Sequence, residues 1–239
     1  MTSRNQNYIS EELIHFAGSG LNKEEQYNTL CKILRCKAIT HPPHYPDGSS
    51  VTTIRLSRKI SENEMYNPDM ICFCDIPVDN LSIHIKKYSP FGLSFYKNFI
   101  VQNGGCPVFY IPLKGKVATN IQKADYFDNM LKEYHSLCGY LEDLMKKHDH
   151  RPAFGLPQNF KRFYELQRFL AHQLFSYIKF FEHTLHEEHP DNYYFEREWR
   201  IIGQLKFKPE DIKTIFMPYE YTNRFKKDFP EYKGAIFQL

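Results

Sequence analysis

Two stretches with helical spacing of apolar residues, at about 120–149 and 159–189, interrupt a chain that otherwise consists of short strand-like segments. In both stretches, leucine and aromatic residues recur at intervals of three and four, and Pro190 is expected to end the second helix. Strands before and after a block of long helices are typical of the α+β class. We therefore expect a single domain over residues 1–239 with a helical insertion at about 120–190.

The shorter elements are predicted from apolar runs and from the glycines and prolines that bound them. Asn22 is a suitable N-cap for a helix over residues 22–37, and a short helix is expected over 79–87. Residues 41–48 contain three prolines and a glycine, which exclude regular structure. Strands are expected at 13–16, 52–58, 70–77, 91–97, 107–112, 195–204 and 212–217.

Composition restricts the class of protein. The net charge is +3, which is weaker than the basic excess of dedicated duplex-DNA binders. The first ten residues lack the apolar segment of a secretion signal, and no window has about 18 consecutive apolar residues. We therefore expect a cytoplasmic protein that makes no membrane contact and whose six cysteines are reduced. Cys72 and Cys74 are two residues apart, and the chain has no second cysteine pair with which they could form a structural zinc site. We therefore expect both to be buried as small apolar side chains.

A charged segment near the end, from Glu196 to Arg200, is the first candidate for chemistry. Strand alternation would place Glu196, Glu198 and Arg200 on one face of the sheet, with Trp199 behind them. The pattern fits a surface ladder of ion pairs. It equally fits a cleft in which one glutamate stabilises a developing positive charge. Alternation does not decide between Glu196 and Glu198.

Histidines provide the other candidates. His15 lies in an apolar segment, which is typical of a hydrogen-bonded core residue, but the nearby Ser19 between two glycines would let a ligand approach the backbone. His183, His186 and His189 are three residues apart at a predicted helix end. Histidine also favours helix C-termini because of the helix dipole, and we expect no metal there.

Several segments together resemble the AbiGi family of abortive phage-resistance proteins. The most specific are Phe-Cys-Asp-Ile-Pro at 73–77 and Phe-Gly-Leu-Ser-Phe at 91–95, followed by Phe-Glu-Arg-Glu-Trp-Arg-Ile at 195–201. The resemblance runs from about residue 8 to residue 205. It implies a role in antiviral defence of the toxin–antitoxin type, with a cognate toxin or antitoxin protein as partner. Under this resemblance the chain is a non-catalytic antitoxin or sensor subunit of such a module.

The order of residue types also resembles the ADP-ribosyltransferase fold, a mixed sheet that would here carry an inserted pair of long helices. This resemblance implies an enzyme that consumes NAD as a substrate and modifies a protein or nucleic-acid acceptor. His15 would hold the ribose, and Glu198 or Glu196 would stabilise the oxocarbenium-like transition state. The usual Ser-Thr-Ser signature is missing. The further NAD-binding candidates are Phe16, Ser19, Arg55 and the aromatic residues Phe73, Tyr88 and Tyr96.

Overall fold

A computed structural model describes residues 10–41, 52–117, 120–148, 158–186, 189 and 192–239. The chain divides into two compact units. The first unit combines residues 1–51, 69–108 and 186–239, and the second combines 52–68 and 109–185. A single domain with a helical insertion at about 120–190 stays a prediction.

Over the described residues there are fifteen strands and six α-helices. The strands are β1 (Glu12–Phe16), β2 (Ala38–Ile39), β3 (Thr52–Ile54), β4 (Tyr66–Pro68), β5 (Met70–Cys74), β6 (Gly92–Tyr96), β7 (Cys106–Pro107), β8 (Phe109–Pro112), β9 (Lys116–Val117), β10 (Ile121–Gln122), β11 (Ile178–Phe181), β12 (Glu198–Ile202), β13 (Leu205–Lys206), β14 (Ile212–Met217) and β15 (Ala235–Gln238). The helices are α1 (Lys23–Cys36), α2 (Ser82–Lys87), α3 (Lys97–Gln102), α4 (Lys123–His148), α5 (Gln158–Phe169) and α6 (Thr222–Asp228).

A seven-stranded sheet forms the centre of the first unit. Its strand order is β15-β14-β6-β1-β5-β12-β7. Neighbouring strands are antiparallel except for β14 and β15, which are parallel. The sheet is therefore mixed, and the α+β class expected from the order of the elements is confirmed.

The sheet is covered on both faces, as the alternation along β1 shows. Leu13 belongs to the larger apolar cluster, which also takes Tyr27 and Leu30 from α1. The next residue, Ile14, belongs to a smaller cluster on the opposite face together with Phe216. Successive strand side chains point to opposite faces, so these two clusters identify the face on which any neighbouring residue lies.

The first helix begins where its cap predicts. The Glu25 backbone N–H donates to Asn22 Oδ1 at 3.0 Å, and the Asn22 backbone N–H donates to Glu25 Oε2 at 3.3 Å. This reciprocal pair is a capping box, which satisfies two backbone donors at the helix start. The helix predicted over residues 22–37 is confirmed as α1.

The second unit is built around α4, a helix of 26 residues. The buried side of α4 contributes Leu131 and Cys138, and Leu131 joins an apolar cluster with Ile111 and Phe180. Ile111 belongs to β8 and Phe180 to β11, and these two strands pair in parallel. The helix predicted at about 120–149 is confirmed, with bounds of Lys123–His148.

The helix predicted over residues 159–189 is wrong beyond its first half. The α-helical part α5 ends at Phe169, a π-helical turn and a 3-10 turn carry the chain to Tyr177, and β11 follows. The backbone of β11 pairs with the distant strand β8, and this pairing buries Phe180 to 1% exposure. Pairing with a remote strand therefore overrides the local helical spacing.

Other predicted elements differ mainly at their bounds. The strand predicted at 52–58 ends at Ile54, and the helix predicted at 79–87 divides into a 3-10 turn, Val78–Asn80, and α2. The strand over 212–217 is confirmed as β14. Most of the loop predicted at 41–48 lies outside the described residues. The elements α3, α6 and β15 were not predicted.

Candidate functional site

The candidate site lies in the first unit, at the start of β12. Glu198 pairs across the sheet with Cys74, which in turn pairs with Ile14. Paired residues share a face, so Glu198 lies on the side of the smaller apolar cluster. Trp199, the next residue along β12, packs against the larger cluster on the other side, as expected from the alternation.

Glu198 and Arg200 form a buried, two-pronged ion pair. Arg200 Nε donates to Glu198 Oε1 at 2.7 Å, and Arg200 Nη2 donates to Glu198 Oε2 at 3.2 Å. Their exposed fractions are 5% and 7%. The expectation of an exposed surface ladder is therefore wrong for this pair. The guanidinium fork holds both carboxylate oxygens of Glu198 in place.

Glu196 does not belong to the strand, so the prediction that Glu196, Glu198 and Arg200 share one strand face is wrong for Glu196. It ends a 3-10 turn, Tyr193–Glu196. Arg197 follows with φ of 44°, a left-handed backbone conformation that is uncommon for residues other than glycine. The reversal at Arg197 ends the turn before β12 begins.

Glu196 is nevertheless buried, and its partners are the last residue of α2 and the residue that follows it. Lys87 Nζ lies 2.6 Å from Glu196 Oε1, and the Tyr88 hydroxyl donates a hydrogen bond to the same oxygen. The Lys87 ammonium also lies over two rings, 5.4 Å from the Tyr88 centroid and 5.2 Å from that of Tyr193. This cation is held by a carboxylate and by two aromatic faces. We call Glu196, Glu198, Arg200, Lys87 and Tyr88 the carboxylate cluster.

The phenol of Tyr88 is a neutral hydrogen-bond donor. Burial raises its pKa far above the usual range, and the charge of Glu196, the hydrogen bond to it and the charge of Glu198 act in the same direction. The rings of Tyr88 and His84 both stack on Phe16, at 6.2 Å and 6.4 Å between centroids. His84 is buried, and burial lowers its pKa.

Two further buried carboxylates of the first unit are also matched by cations. Asp75 lies 2.8 Å from Lys97 Nζ and accepts from the backbone N–H of Ser10 at 3.2 Å. Glu12 lies 3.5 Å from Lys213 Nζ and accepts a hydrogen bond from the Ser94 hydroxyl. Buried charges are tolerated when they are paired and hydrogen-bonded, and these carboxylates fit that rule.

His15 lies on the other face of the sheet from Glu198. It pairs with Leu93, and its ring lies 5.8 Å from that of Phe73. Leu93 and Phe73 both belong to the larger apolar cluster. Its Nδ1 donates to the Cys72 carbonyl oxygen at 2.9 Å. The structure therefore brings together Phe16, Tyr88, Glu196 and Glu198, and it places His15 and Phe73 on the opposite side.

The remaining NAD-binding candidates are dispersed. Ser19 is exposed in the turn after β1, and Tyr96 is exposed at the end of β6, beneath Lys213 Nζ at 4.9 Å. Arg55 is exposed and belongs to the second unit. Cys74 is buried as predicted, but Cys72 is exposed.

Sequence reasoning did not single out Lys87 and His84. The sequence feature that could have identified them is their distance from Tyr88. His84 lies four residues before Tyr88 and Lys87 one residue before it, and both are in the basic last turn of a short helix. No group of three His, Cys, Asp or Glu side chains within the described ranges is arranged to hold a metal ion. No helix of these ranges is long and apolar enough to cross a membrane.

The fold and the site together describe an α+β protein whose mixed sheet carries a cluster of buried, paired carboxylates. Its family follows from sequence comparison. A family model described as "Putative abortive phage resistance protein AbiGi, antitoxin" matches residues 55–225, which is more than half of the chain. The chain therefore belongs to the AbiGi family of abortive phage-resistance proteins.

One relative carries the same name. The chain is similar to the abortive phage resistance protein AbiGi of Lactococcus lactis subsp. cremoris, with 29% identity over 75 residues. This alignment spans 29% of the chain and 29% of that relative's length. No solved structure matches the chain.

Proposed function

We propose that this chain is the antitoxin component of an abortive phage-resistance module and that it acts by binding a cognate toxin protein. The observation that carries the proposal is a set of exposed apolar side chains on α4 in the second unit. The family's description as an antitoxin supports the same role. The partner is expected to be a protein because apolar surface of this kind is typical of protein interfaces.

The exposed apolar stripe of α4 consists of Tyr126, Met130, Leu137, Tyr140 and Leu141. Their exposed fractions run from 39% for Tyr126 to 61% for Tyr140. Helical spacing places the five side chains on one side of the helix, away from the buried side that packs in the core of the second unit. Tyrosine and methionine are enriched at protein interfaces, so the composition of this stripe fits a docking surface.

The contacts of the carboxylate cluster favour a structural role over a catalytic one. A general base or a carboxylate that stabilises a cation needs a lone pair directed at the substrate. Both oxygens of Glu198 accept from Arg200, and Glu196 Oε1 accepts from Lys87 and Tyr88. These contacts fit a cluster that stabilises the first unit.

The test is co-expression of the tagged chain with the product of the adjacent gene, followed by co-purification and a growth assay. Wild type is expected to bind this product and to relieve its toxicity. Replacing Leu137 and Leu141 together by Arg is expected to weaken binding by about tenfold or more, because two apolar anchors of the interface are lost. The matched control is Ser136→Arg, which adds the same side chain to an exposed polar position on the same helix.

Two results would contradict the proposal. The first is that the purified chain neither binds nor neutralises the adjacent gene product. The second is that the Leu137 and Leu141 variant binds as tightly as Ser136→Arg. Circular dichroism of both variants establishes that they are folded.

NAD consumption is the second candidate, and the observation that favours it is the position of Glu196 and Glu198 beside the Phe16 and Tyr88 rings. The opposite location of His15 does not favour it. Purified wild type and Glu198→Gln are incubated with NAD, and nicotinamide release is measured. Release by wild type alone, with both proteins folded, would support an ADP-ribosyltransferase-like enzyme over the antitoxin.

A further inference from the structure

The second unit contains a cavity of about 440 Å³. It lies between α4 and α5 and is closed on one side by residues of β3 and β4. Its volume is within the range of roughly 300–1,000 Å³ that is typical of small-molecule sites. The cavity is separate from the carboxylate cluster, whose residues belong to the first unit.

Aromatic rings form the walls of the cavity. The Phe175 ring lies 5.1 Å from the Tyr66 ring and 5.9 Å from the Tyr134 ring, between centroids. Tyr66 is buried and Tyr134 is half-buried, while Tyr164 stands exposed at the rim. The Phe175 ring is inclined by 41° to Tyr66 and by 72° to Tyr134, so a planar ligand can stack on one ring and meet the others at its edge.

Two histidines supply the hydrogen-bonding groups. His135 Nε2 lies 2.7 Å from the Tyr66 hydroxyl, and His172 Nδ1 lies 3.0 Å from the Thr52 hydroxyl. Burial lowers the pKa of both histidines, and the charge of Arg168 acts in the same direction on His172. One ring nitrogen of each histidine is engaged in this way, and the other nitrogen of a neutral imidazole is left to donate to or accept from the polar edge of a heteroaromatic ring.

Arg168 is the cation at this cavity. It is exposed, and it has no ion-pair partner among the residues that the structure describes. A guanidinium with free donors in a fork is well suited to a phosphate group. The same lining includes Glu142, whose carboxylate can accept hydrogen bonds from hydroxyl groups.

We propose that this cavity binds a nucleoside monophosphate, with the base among the aromatic side chains of Tyr66, Tyr134 and Phe175 and the phosphate at Arg168. The aromatic walls select a planar ring, the histidines and Glu142 contact its polar groups and the ribose, and the single arginine selects one anionic group. Stacking of a base on aromatic side chains tolerates different bases, so the phosphate and the ring carry more of the recognition than the identity of the base.

Gly139 provides a variant that narrows the cavity without disturbing the fold. It lines the cavity on α4, and a Cβ placed there meets nothing within 4 Å. Gly139→Leu is expected to occupy part of the cavity and obstruct a ligand, while Gly139→Ala adds only a methyl group. Both replacements favour the helix relative to glycine, so both proteins are expected to fold.

The experiment is calorimetric titration of the full chain with AMP, GMP, CMP and UMP, and with adenosine for comparison. At least one monophosphate is expected to bind wild type with a Kd below about 1 mM. Gly139→Leu is expected to weaken that binding by about tenfold or more, and Gly139→Ala to leave it within about twofold. Arg168→Gln is expected to weaken binding of the monophosphate by about fivefold or more and to leave adenosine unchanged.

Three outcomes would overturn the assignment. Wild type that shows no heat with any monophosphate at about 1 mM does not have the site. Binding that is unchanged in Gly139→Leu takes place elsewhere on the chain. Adenosine that binds as tightly as AMP, in wild type and in Arg168→Gln alike, excludes the phosphate contact.

Discussion

The buried pair of Glu198 and Arg200 shows at the scale of single residues how the first unit balances its internal charge. Both side chains are more than nine-tenths buried, and two hydrogen bonds join them. Removing either charge from water costs several kcal/mol, and the attraction between the two offsets that cost only while both remain. The stability of the first unit should therefore depend more on the balance of the pair than on either charge alone.

We predict that Arg200→Met lowers the free energy of unfolding by about 3–5 kcal/mol, because it leaves the Glu198 carboxylate buried without its arginine. The double variant Glu198→Gln with Arg200→Met is expected to recover most of that loss, since no unmatched charge remains. Urea denaturation followed by circular dichroism measures both. A double variant that is no more stable than Arg200→Met would show that shape, rather than charge balance, determines the contribution of this pair.

Single residues also mark the limit of what the sequence reveals about the candidate site. Glu196, Glu198, Tyr88 and Phe16 were selected from the sequence, and the structure places them on one side of the sheet. The position of Glu196 was wrong because Arg197 takes a left-handed backbone conformation with φ of 44°. Arginine does not favour that conformation, so the sequence does not indicate the reversal, and the predicted strand begins at residue 195 where β12 begins at Glu198.

At the scale of elements, α1 shows that the start of a helix can be predicted from a few neighbouring residues. Its first turn is fixed by two hydrogen bonds between Asn22 and Glu25, residues three apart in the sequence. A capping box depends only on residue types at fixed spacing, and for that reason this boundary could be predicted. The helix then buries Tyr27, Leu30 and Ile33 against the sheet.

We predict that Asn22→Ala lowers the free energy of unfolding by about 0.5–2 kcal/mol, because the backbone N–H of Glu25 loses its acceptor. Asn28→Ala is the matched control: it makes the same replacement at an exposed position inside α1, where alanine is the better helix former. It is expected to be neutral or slightly stabilising. Urea midpoints of the two variants and wild type provide the comparison, and equal losses in both would contradict the role of the cap.

Strands whose pairing partners lie far away in the sequence could not be predicted from the spacing of apolar residues within one segment. The apolar residues of Ile178–Phe181 continue the helical spacing of the preceding stretch, but their backbone pairs with Phe109–Pro112. The strand β15 is likewise defined by its pairing with β14. Spacing within one segment indicates which side chains are buried, and it does not reveal which other segment provides the hydrogen bonds.

At the scale of the whole molecule, both units contain histidines that are buried or half-buried. His84 is in the first unit, and His135 and His172 are in the second. Burial lowers the pKa of each below the ordinary value of 6.5. In the unfolded chain these side chains regain an ordinary pKa, so the unfolded state binds more protons below about pH 6.5.

The whole chain should therefore lose stability as the pH falls. A histidine whose pKa is lowered by folding contributes its full stability above about pH 6.5 and loses it as the pH falls below that value. We predict a lower urea midpoint at about pH 5.5 than at about pH 7.5. His84→Gln with His135→Gln and His172→Gln is expected to reduce this difference, and His183→Gln, at an exposed position, is expected to preserve it. A triple variant with the same pH dependence as wild type would assign the effect to other groups, because the three histidines would then take up protons equally in the folded and unfolded states.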